Sequence, residues 1–281
     1  MAANRPIVSP EAILTPIVAE ALAAAEGRPL VIGICGAQGS GKSTLAAALS
    51  ARFDDAPVLS IDDLYLRRAE RQQLAAEVHP LFATRGVPGT HDVALGLDLI
   101  AGFRRGQALS LPRFDKATDD RADGAEPVPA GAKLLLFEGW CLGAEPAPAD
   151  APINSLERDE DTDGRWRARV EASLAGPYAA LFGEIDLLIF LAAPSFETVA
   201  DWRWQQEAAL ARARPGAAAV MSRGEIDRFV AHYERITRRL LRDLPARADV
   251  TLWLDADRRC VRIRRHGETA REDADSDGGS G

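Results

Sequence analysis

The feature that most constrains the fold is an eight-residue stretch, GAQGSGKS (Gly36 to Ser43), which directly follows the apolar run LVIGIC. The stretch matches the pattern G-x-x-x-x-G-K-[ST] between a predicted strand and a predicted helix. Its glycines let consecutive backbone N–H groups turn toward phosphate oxygens, and the N-terminus of the following helix adds a partial positive charge. The sequence therefore predicts a loop that holds phosphate groups.

Two side chains of this loop are predicted to act on the nucleotide directly. Lys42 is expected to bridge the β and γ phosphates, and the hydroxyl of Ser43 is expected to be a Mg²⁺ ligand. A loop of this kind predicts binding of a nucleoside triphosphate, but it does not specify what happens to the phosphate. Transfer to a small molecule, hydrolysis and simple binding all stay open on these residues alone.

Short apolar segments separated by helical patterns predict an α/β fold, with a parallel sheet covered by helices on both faces. The expected strands are Leu30 to Cys35, Pro57 to Ile61, Lys133 to Phe137, Ile185 to Leu191 and Val250 to Leu254. The expected helices include Pro10 to Glu26, Ser43 to Phe53 and Ser222 to Leu244, the last with a capping box. In such sheets the ligand lies beyond the carboxyl ends of the strands.

Acidic residues follow two of these strands at that edge. SIDDLY places Asp62 and Asp63 after the second strand, and LFEGW places Glu138 at the end of the third. A kinase that acts on a hydroxyl needs a carboxylate to orient the nucleophile and accept its proton, but a pair of Asp residues is also typical of a helix N-cap. Both interpretations of the pair stay open, and Glu138 is expected beside Mg²⁺.

Composition and charge exclude several classes. A formal net charge of −8 argues against a protein that mainly grips nucleic acid. No apolar run is long enough to span a bilayer and no signal peptide is recognisable, so a cytoplasmic location without membrane contact is expected. The three cysteines have no metal-ligand or redox spacing. None of the three lysines, Lys42, Lys116 and Lys133, lies in an Asn-Lys-x-Asp context, which excludes the commonest guanine-specific class.

The middle of the chain concentrates positive charge in HPLFATRGVPGTHD (79–92) and LPRFDKATDDR (111–121). The cations are Arg85, Arg113, Lys116 and Arg121, and the Arg fork suits carboxylate or phosphate groups. An anionic acceptor is one interpretation of these loops, and solvated surface charge is the other. His91, within GTHD, is a further candidate.

A basic segment follows the fourth strand, WRWQQEAALARARPG (202–216). Its arginines Arg203, Arg212 and Arg214 lie along a predicted helix and a Gly/Pro break. A helical lid of this kind can close over the nucleotide and neutralise charge on the transferring phosphoryl group. A solvated basic helix is the alternative.

Taken together, these motifs resemble the plant-type D-glycerate 3-kinases, in the phosphoribulokinase and uridine kinase group of P-loop kinases. The resemblance covers about Leu30 to Leu254, and its most specific parts are RGVPGTHD and FEGW. The other matching motifs are GAQGSGKST, SIDDLYL, PRFDKATDDR, WRWQQE and the Asn154–Glu157 step. The chain departs from the family pattern at Leu64, where Phe is usual, and in an acidic insert over 158–164.

The resemblance assigns roles residue by residue. It implies that the ATP phosphates bind to Gly36, Ala37, Gln38, Gly39, Ser40, Gly41, Lys42, Ser43 and Thr44. It implies that Asp62 is the catalytic base, that Glu138 lies on the Mg²⁺ side and that Arg203 acts from the lid. From the residues and the resemblance together, the expected acceptor-binding set is Asp63, Tyr65, Arg85, Thr90, His91, Asp92, Arg113, Lys116 and Arg121.

The chain is thus predicted to have a P-loop NTPase fold with one kinase domain over 1–265 and a disordered acidic tail over 266–281. The expected reaction transfers the γ-phosphoryl of ATP, with Mg²⁺, to a hydroxyl of a small anionic metabolite, with D-glycerate as the expected acceptor. The alternatives are a kinase for a nucleoside, pantothenate or a sugar phosphate, a non-catalytic nucleotide sensor, and an RNA-modifying kinase. The oligomeric state is not predicted.

Overall fold

The strands form one large sheet and a separate hairpin in the computed structural model, which describes residues 9–149, 151–213 and 222–267. They are β1 (Leu30–Gly36), β2 (Val58–Ser60), β3 (Leu109–Asp115), β4 (Asp120–Val128), β5 (Leu134–Gly139), β6 (Leu187–Ala192), β7 (Val250–Leu254) and β8 (Cys260–Arg265). The sheet has the order β2-β5-β1-β6-β7-β8, parallel except for β8, which runs antiparallel to β7. The antiparallel pair β3–β4 forms the hairpin.

Helices occupy most of the connections. They are α1 (Pro10–Ala24), α2 (Lys42–Arg52), α3 (Arg68–Glu77), α4 (Val93–Arg104), α5 (Ser155–Glu160), α6 (Arg165–Ser173), α7 (Ala179–Phe182), α8 (Phe196–Ala213) and α9 (Arg223–Asp243). Short 3₁₀ turns span Ile61–Leu64, Pro80–Ala83 and Leu244–Ala246, and a π turn, Leu174–Tyr178, joins α6 to α7. No helix in the described ranges is both long enough and apolar enough to pass through a bilayer.

Each face of the sheet buries its own apolar core, because successive strand residues point to opposite faces. On β1, Val31 and Cys35 pack into one core, whereas Ile32 and Ile34 pack into the other. All seven residues of β1 are buried. A strand buried on both faces is typical of parallel sheets, so the predicted α/β fold class is confirmed.

The prediction identified the five parallel strands but missed β8 and the hairpin β3–β4. β4 is mostly exposed and carries DRADGAEPV, which lacks the apolar alternation of a half-buried strand. β2 is also shorter than predicted, because the Ser60 hydroxyl caps a 3₁₀ turn that starts at Ile61. From residue 268 onward, the predicted tail lies outside the described residues.

The acidic insert has a definite structure. Residues 158–160 of the insert form the end of α5, and the next residue, Asp161, is fully buried. Asp161 accepts hydrogen bonds from the backbone N–H of Trp166 at 2.9 Å and of Arg167 at 3.2 Å. The predicted capping box of Ser222 and Glu225 at the start of α9 is confirmed.

Candidate active site

A cavity of about 750 Å³ lies where the carboxyl ends of β1, β2 and β5 meet. Predicted site residues that line it are Gln38, Gly39, Lys42, Ser43, Asp62, Asp63, Tyr65, Arg85, Lys116, Glu138 and Arg203. Residues of its wall that the sequence did not predict are Ser60, Trp140, Gln206, Phe229 and Tyr233. The fold therefore brings the phosphate loop, the carboxylates and part of the predicted acceptor set to one place.

The phosphate loop is a sharp turn between buried β1 and α2. Gly39 and Gly41 have φ of 80° and 90°, the left-handed region that glycine adopts without strain. Gly41 is the N-cap of α2 and supplies no side-chain cap, so the first N–H groups of α2 are left for a ligand. The hydroxyl of Ser40 is buried and has no hydrogen-bond partner among the described residues. The loop thus offers several donors to an anion.

Glu138 ends β5 beside this loop. Its Oε1 accepts a hydrogen bond from the Ser43 hydroxyl at 2.8 Å, and its Oε2 lies 3.9 Å from Lys42 Nζ. That Oε2 atom is buried without a hydrogen-bond partner within the described part of the chain. Because Mg²⁺ prefers oxygen ligands, the open carboxylate oxygen and the neighbouring hydroxyl fit such an ion. Ser43 and Glu138 are the residues that could hold it.

Asp62 lines the cavity from the end of β2. The Tyr65 hydroxyl donates to its Oδ1 at 2.8 Å, and Lys116 Nζ donates to its Oδ2 at 2.7 Å. The Asp62 side chain is 27% exposed, so a small molecule in the cavity can reach it. A carboxylate in this position can orient a hydroxyl and take up its proton.

Opposing effects set the ionisation of Asp62. Burial is the largest effect and would raise the pKa of the carboxyl. The charges of Lys116 and Lys42, with the hydrogen bonds that the carboxylate accepts, outweigh burial and hold the pKa of Asp62 well below its usual range. Burial and the neighbouring carboxylate raise the pKa of Tyr65 well above its ordinary value, so its phenol stays a donor.

Asp63 fastens the hairpin to the end of β2. It accepts hydrogen bonds from the backbone N–H of Phe114 at 2.9 Å and from Arg113 Nη1 at 2.8 Å. Burial raises the pKa of Asp63 against the effect of these bonds. The hairpin engages both Asp63 oxygens, whereas Oδ2 of Asp62 is bound only by exposed Lys116, so Asp62 is the better placed of the two to meet an acceptor.

Thr90 and Asp92 brace the cavity from behind and are absent from its lining. The Thr90 hydroxyl accepts from the Gly86 N–H at 3.0 Å and donates to the Val87 carbonyl at 2.7 Å. Asp92 is the N-cap of α4 and accepts from the Leu95 N–H at 3.0 Å. Both side chains therefore stabilise the loop that carries the RGVPGTHD motif.

His91 is also absent from the lining, but it contacts a wall residue. Its ring stacks on Tyr65 with 4.6 Å between ring centroids, and its Nδ1 lies 2.6 Å from the Tyr178 hydroxyl. Burial lowers the pKa of His91 to about 4, so the imidazole is neutral at pH 7. The nearby charge of Asp62 opposes that shift without reversing it.

Arg113 and Arg121 use their guanidinium groups within the protein and are likewise absent from the lining. Arg113 forms an ion pair with Glu126 across the hairpin. Arg121 Nη2 donates to the Tyr65 carbonyl at 3.1 Å and to Asp92 Oδ2 at 3.4 Å. The structure thus separates the predicted acceptor set into wall residues and residues that hold the wall.

Trp140 and Tyr233 complete the wall. Trp140 Nε1 donates to the Gly86 carbonyl at 2.9 Å, and the Tyr233 hydroxyl donates to the Arg85 carbonyl at 3.1 Å. Their rings meet edge to face at 4.8 Å, so together they hold the loop that carries Arg85. Trp140 could have been predicted as a wall residue, because it follows Glu138 by two residues in the FEGW motif. Tyr233 belongs to the buried stripe of α9, and no local pattern indicates that the stripe reaches the cavity.

Arg203 reaches the cavity from α8. Its Nη2 pairs with Glu207 at 2.8 Å, and its guanidinium lies over the Phe229 ring at 5.6 Å from the centroid. This placement is compatible with the predicted lid. The side chain of Arg212 and the whole of Arg214 lie outside the described residues.

Known kinases are similar in sequence to this chain over most of its length, although no family model matches it. An uncharacterised kinase of Schizosaccharomyces pombe is 38% identical over 230 residues, which cover 74% of this chain and 79% of the relative. The chloroplastic D-glycerate 3-kinase of Arabidopsis thaliana is 32% identical over 222 residues, or 73% of this chain and 46% of that protein. This chain therefore matches less than half the length of the Arabidopsis enzyme.

A solved structure gives the same fold. The D-glycerate 3-kinase from Cryptococcus neoformans superposes with a TM-score of 0.75 at 23% identity, covering 91% of this chain and 98% of that one. The TM-score over nine-tenths of the chain shows that the two proteins share their fold. The chain therefore belongs to the family of P-loop kinases that includes the plant-type D-glycerate 3-kinases.

Proposed function

We propose that this protein transfers the γ-phosphoryl group of ATP to a hydroxyl of a small anionic metabolite. We further propose D-glycerate as the acceptor, phosphorylated at its 3-hydroxyl. The single observation behind the proposed phosphoryl transfer is the position of Asp62, an ionised carboxylate that shares one cavity with the phosphate loop and with Lys42. A non-reacting nucleotide site has no use for such a carboxylate.

The phosphate loop and its neighbours position the nucleotide in this mechanism. The N–H groups at the start of α2 bind phosphate oxygens, and Lys42 bridges the β and γ phosphates. Ser43 and Glu138 would hold Mg²⁺, which when bound neutralises charge on those phosphates. Arg203, from α8, adds a positive charge at the cavity wall where the phosphoryl group transfers.

Asp62 acts on the acceptor. Its carboxylate accepts a hydrogen bond from the acceptor hydroxyl and aligns the oxygen with the γ-phosphorus. It takes the proton as the new P–O bond forms and the bond from the γ-phosphorus to the bridging oxygen of the leaving ADP breaks. The Tyr65 hydroxyl holds Oδ1 of Asp62 in place. The hydrogen-bond partner of Oδ2 is the exposed Lys116, which is the partner that an acceptor can displace. An incoming hydroxyl can replace Lys116 there.

The charge of the wall supports an anionic acceptor. Arg85 and Lys116 both line the cavity, and Lys116 is 62% exposed. A Lys116 ammonium released from Asp62 has a natural partner in the carboxylate of a hydroxy acid. The Trp140, Phe229 and Tyr233 rings also line the cavity, but Trp140 and Tyr233 pack against each other. D-glycerate itself is supported by the sequence motifs and the named relatives.

The test measures Mg²⁺-dependent ADP release with D-glycerate, L-glycerate, uridine, pantothenate and ribulose 5-phosphate. D-glyceramide is the matched control, because it keeps both hydroxyls and lacks the carboxylate charge. We expect turnover with D-glycerate, little with D-glyceramide, and 3-phosphoglycerate rather than 2-phosphoglycerate by ³¹P NMR.

Other outcomes separate the alternatives. Turnover with another member of the panel keeps the kinase and rejects D-glycerate. ATP binding without turnover on any acceptor points to the nucleotide sensor. A cytoplasmic location stays a prediction.

A further inference from the structure

The loop between β7 and β8 contacts the phosphate loop through one side chain. Arg258 Nε donates to the carbonyl oxygen of Gly39 at 2.6 Å. Arg258 is absent from the cavity lining, and its guanidinium holds the Gly39 oxygen through this hydrogen bond. A carbonyl oxygen turned toward the cavity would repel phosphate oxygens, and a charge-assisted hydrogen bond to a guanidinium prevents that rotation.

The same guanidinium also contacts α8. Its Nη2 donates to Gln205 Oε1 at 3.0 Å, and its central carbon lies 4.9 Å from the centroid of the Trp202 ring. Arg258 therefore joins the middle of the phosphate loop to the helix that brings Arg203 and Gln206 to the cavity wall.

Trp202 closes this contact into a rigid junction. The indole is 1% exposed, and its Nε1 donates to the Ala256 carbonyl, in the same loop as Arg258, at 2.7 Å. Cβ of Trp202 packs so closely against Gly39 that a Cβ added to Gly39 would lie 2.6 Å from it. The phosphate loop, α8 and the β7–β8 loop thus meet at one point, and none can shift alone.

The backbone conformation at Arg258 supports a functional role for its side chain. Its φ is 66°, in the left-handed region where a residue with a side chain is strained. The turn itself is held by Asp255, whose side chain accepts from the N–H groups of Asp257 and Arg259. Glycine would fit this position with less strain, but it would lack the three contacts of the guanidinium, with Gly39, Gln205 and Trp202.

We propose that Arg258 is a positioning residue for the nucleotide, which fixes the Gly39 peptide and couples the phosphate loop to α8. This role rests on the proposed use of ATP but not on the identity of the acceptor. Arg258 does not touch the reacting atoms, so its loss acts on nucleotide affinity more than on the acceptor. Arg258 is not among the site residues predicted from the sequence.

The decisive variant is Arg258→Gly, since it removes the contacts and relieves the backbone strain. We expect affinity for a non-hydrolysable ATP analogue, measured by calorimetry, to fall about 10- to 100-fold, the range for a lost charge-assisted hydrogen bond. Thermal stability without nucleotide is expected to stay equal or rise. Arg259→Gly is the matched control, because Arg259 is exposed and pairs with Asp257 in the same turn.

Two further variants test the junction itself. Arg258→Lys keeps a cation near Gly39 and is expected to restore part of the affinity. Gln205→Ala is expected to weaken binding in the wild type but to add little to Arg258→Gly, because both act through one contact. The KM of the acceptor is expected to change little in every variant.

Three results would overturn this role: wild-type affinity in Arg258→Gly, equal loss in Arg259→Gly, or fully multiplicative effects of Gln205→Ala and Arg258→Gly. Lack of ATP-analogue binding by the wild-type protein would instead reject the proposed use of ATP, and the role of Arg258 with it.

Discussion

The two halves of the cavity are built in different ways. The phosphate half is one continuous stretch, Gly36 to Thr44, which runs from the last residue of β1 into the first turn of α2, and most of its binding groups are backbone N–H groups. The acceptor half is assembled from distant segments that carry Asp62, Arg85, Lys116 and Tyr233. One half is a local backbone conformation, and the other depends on long-range side-chain contacts.

Arg71 shows how the acceptor half is held together. Its guanidinium is almost fully buried in α3 and donates to the carbonyls of Leu66 at 3.2 Å and Ala83 at 3.1 Å. It also donates to the carbonyl of Asp119 at 2.7 Å and pairs with the Asp119 carboxylate at 2.8 Å. Asp119 pairs in turn with Arg85. One buried cation therefore joins three loops around the acceptor side.

The difference teaches where each half is vulnerable. The phosphate half fails when the backbone can no longer adopt its turn. The acceptor half fails when a single buried side chain is lost, because that side chain fixes several loops at once. Substitutions can therefore separate nucleotide binding from acceptor-dependent turnover.

The largest expected effect is that of Asp62→Asn. An amide keeps the shape but cannot accept the proton of the acceptor, so kcat should fall about 10²- to 10⁴-fold. Affinity for the ATP analogue should stay close to that of the wild type, since Asp62 contacts the acceptor side. Calorimetry and steady-state kinetics check the two halves separately. A kcat close to the wild-type value in Asp62→Asn would reject Asp62 as the base.

The next effect is that of Arg71→Met, which should break the acceptor half as a unit. Removing a buried cation from its carboxylate and carbonyl partners typically destabilises a protein by about 3–5 kcal/mol. We expect a loss of this order in the free energy of unfolding and a raised KM for the acceptor, with nucleotide affinity retained in the folded fraction. Arg68→Met, exposed on the same helix, is the control. Equal losses in nucleotide and acceptor binding would remove the distinction between the halves.

This contrast explains what the sequence could predict. The phosphate loop, Glu138 at the end of β5 and the capping box of α9 each depend on neighbours within a few residues. Their patterns are therefore visible in a short window of sequence. The same holds for the five parallel strands, whose apolar runs reflect burial on both faces.

The acceptor half depends on contacts that no short window contains. The burial of Arg71 follows from carbonyls up to 48 positions away, and an arginine in a polar helix gives no sign of it. The hairpin strand β4 is exposed and charged, so its pairing with β3 is not visible as alternation. Motifs identified the residues of RGVPGTHD, but only the structure shows that Thr90 and His91 lie behind the wall.

Lowering the pH should reduce the folding stability of the protein through His91, which contacts the wall of the acceptor half. Burial lowers its pKa from 6.5 to about 4, so between those values the unfolded state binds more protons than the folded state. Stability is therefore complete above pH 6.5 and falls by up to about 3 kcal/mol as the pH approaches 4. Burial also lowers the pKa of His232 to about 4, so His232 adds a loss of stability of similar size in acid.

Denaturant unfolding between pH 7 and pH 4.5 checks this effect in wild type and in His91→Gln. The variant should lose stability at pH 7 but show a shallower decline toward acid. His232→Asn should flatten the decline in the same way, from outside the acceptor half. An unchanged slope in His91→Gln would show that folding does not lower the pKa of His91.

The smallest effect on stability, and the finest probe of the acceptor half, is that of Lys116→Met. The Lys116 side chain is 62% exposed, so the lost ion pair should change the free energy of unfolding by less than about 1 kcal/mol. Its charge nevertheless helps to hold the pKa of Asp62 low, so its removal should raise that pKa. Because the base acts when ionised, activity should then be lost at a higher pH on the acid side. Lys133→Met, exposed and outside the cavity lining, should leave the pH–rate profile unchanged. If both variants gave the wild-type acid limb, the coupling of Lys116 to Asp62 would have no part in turnover, and the acceptor half would owe its chemistry to Asp62 and Tyr65 alone.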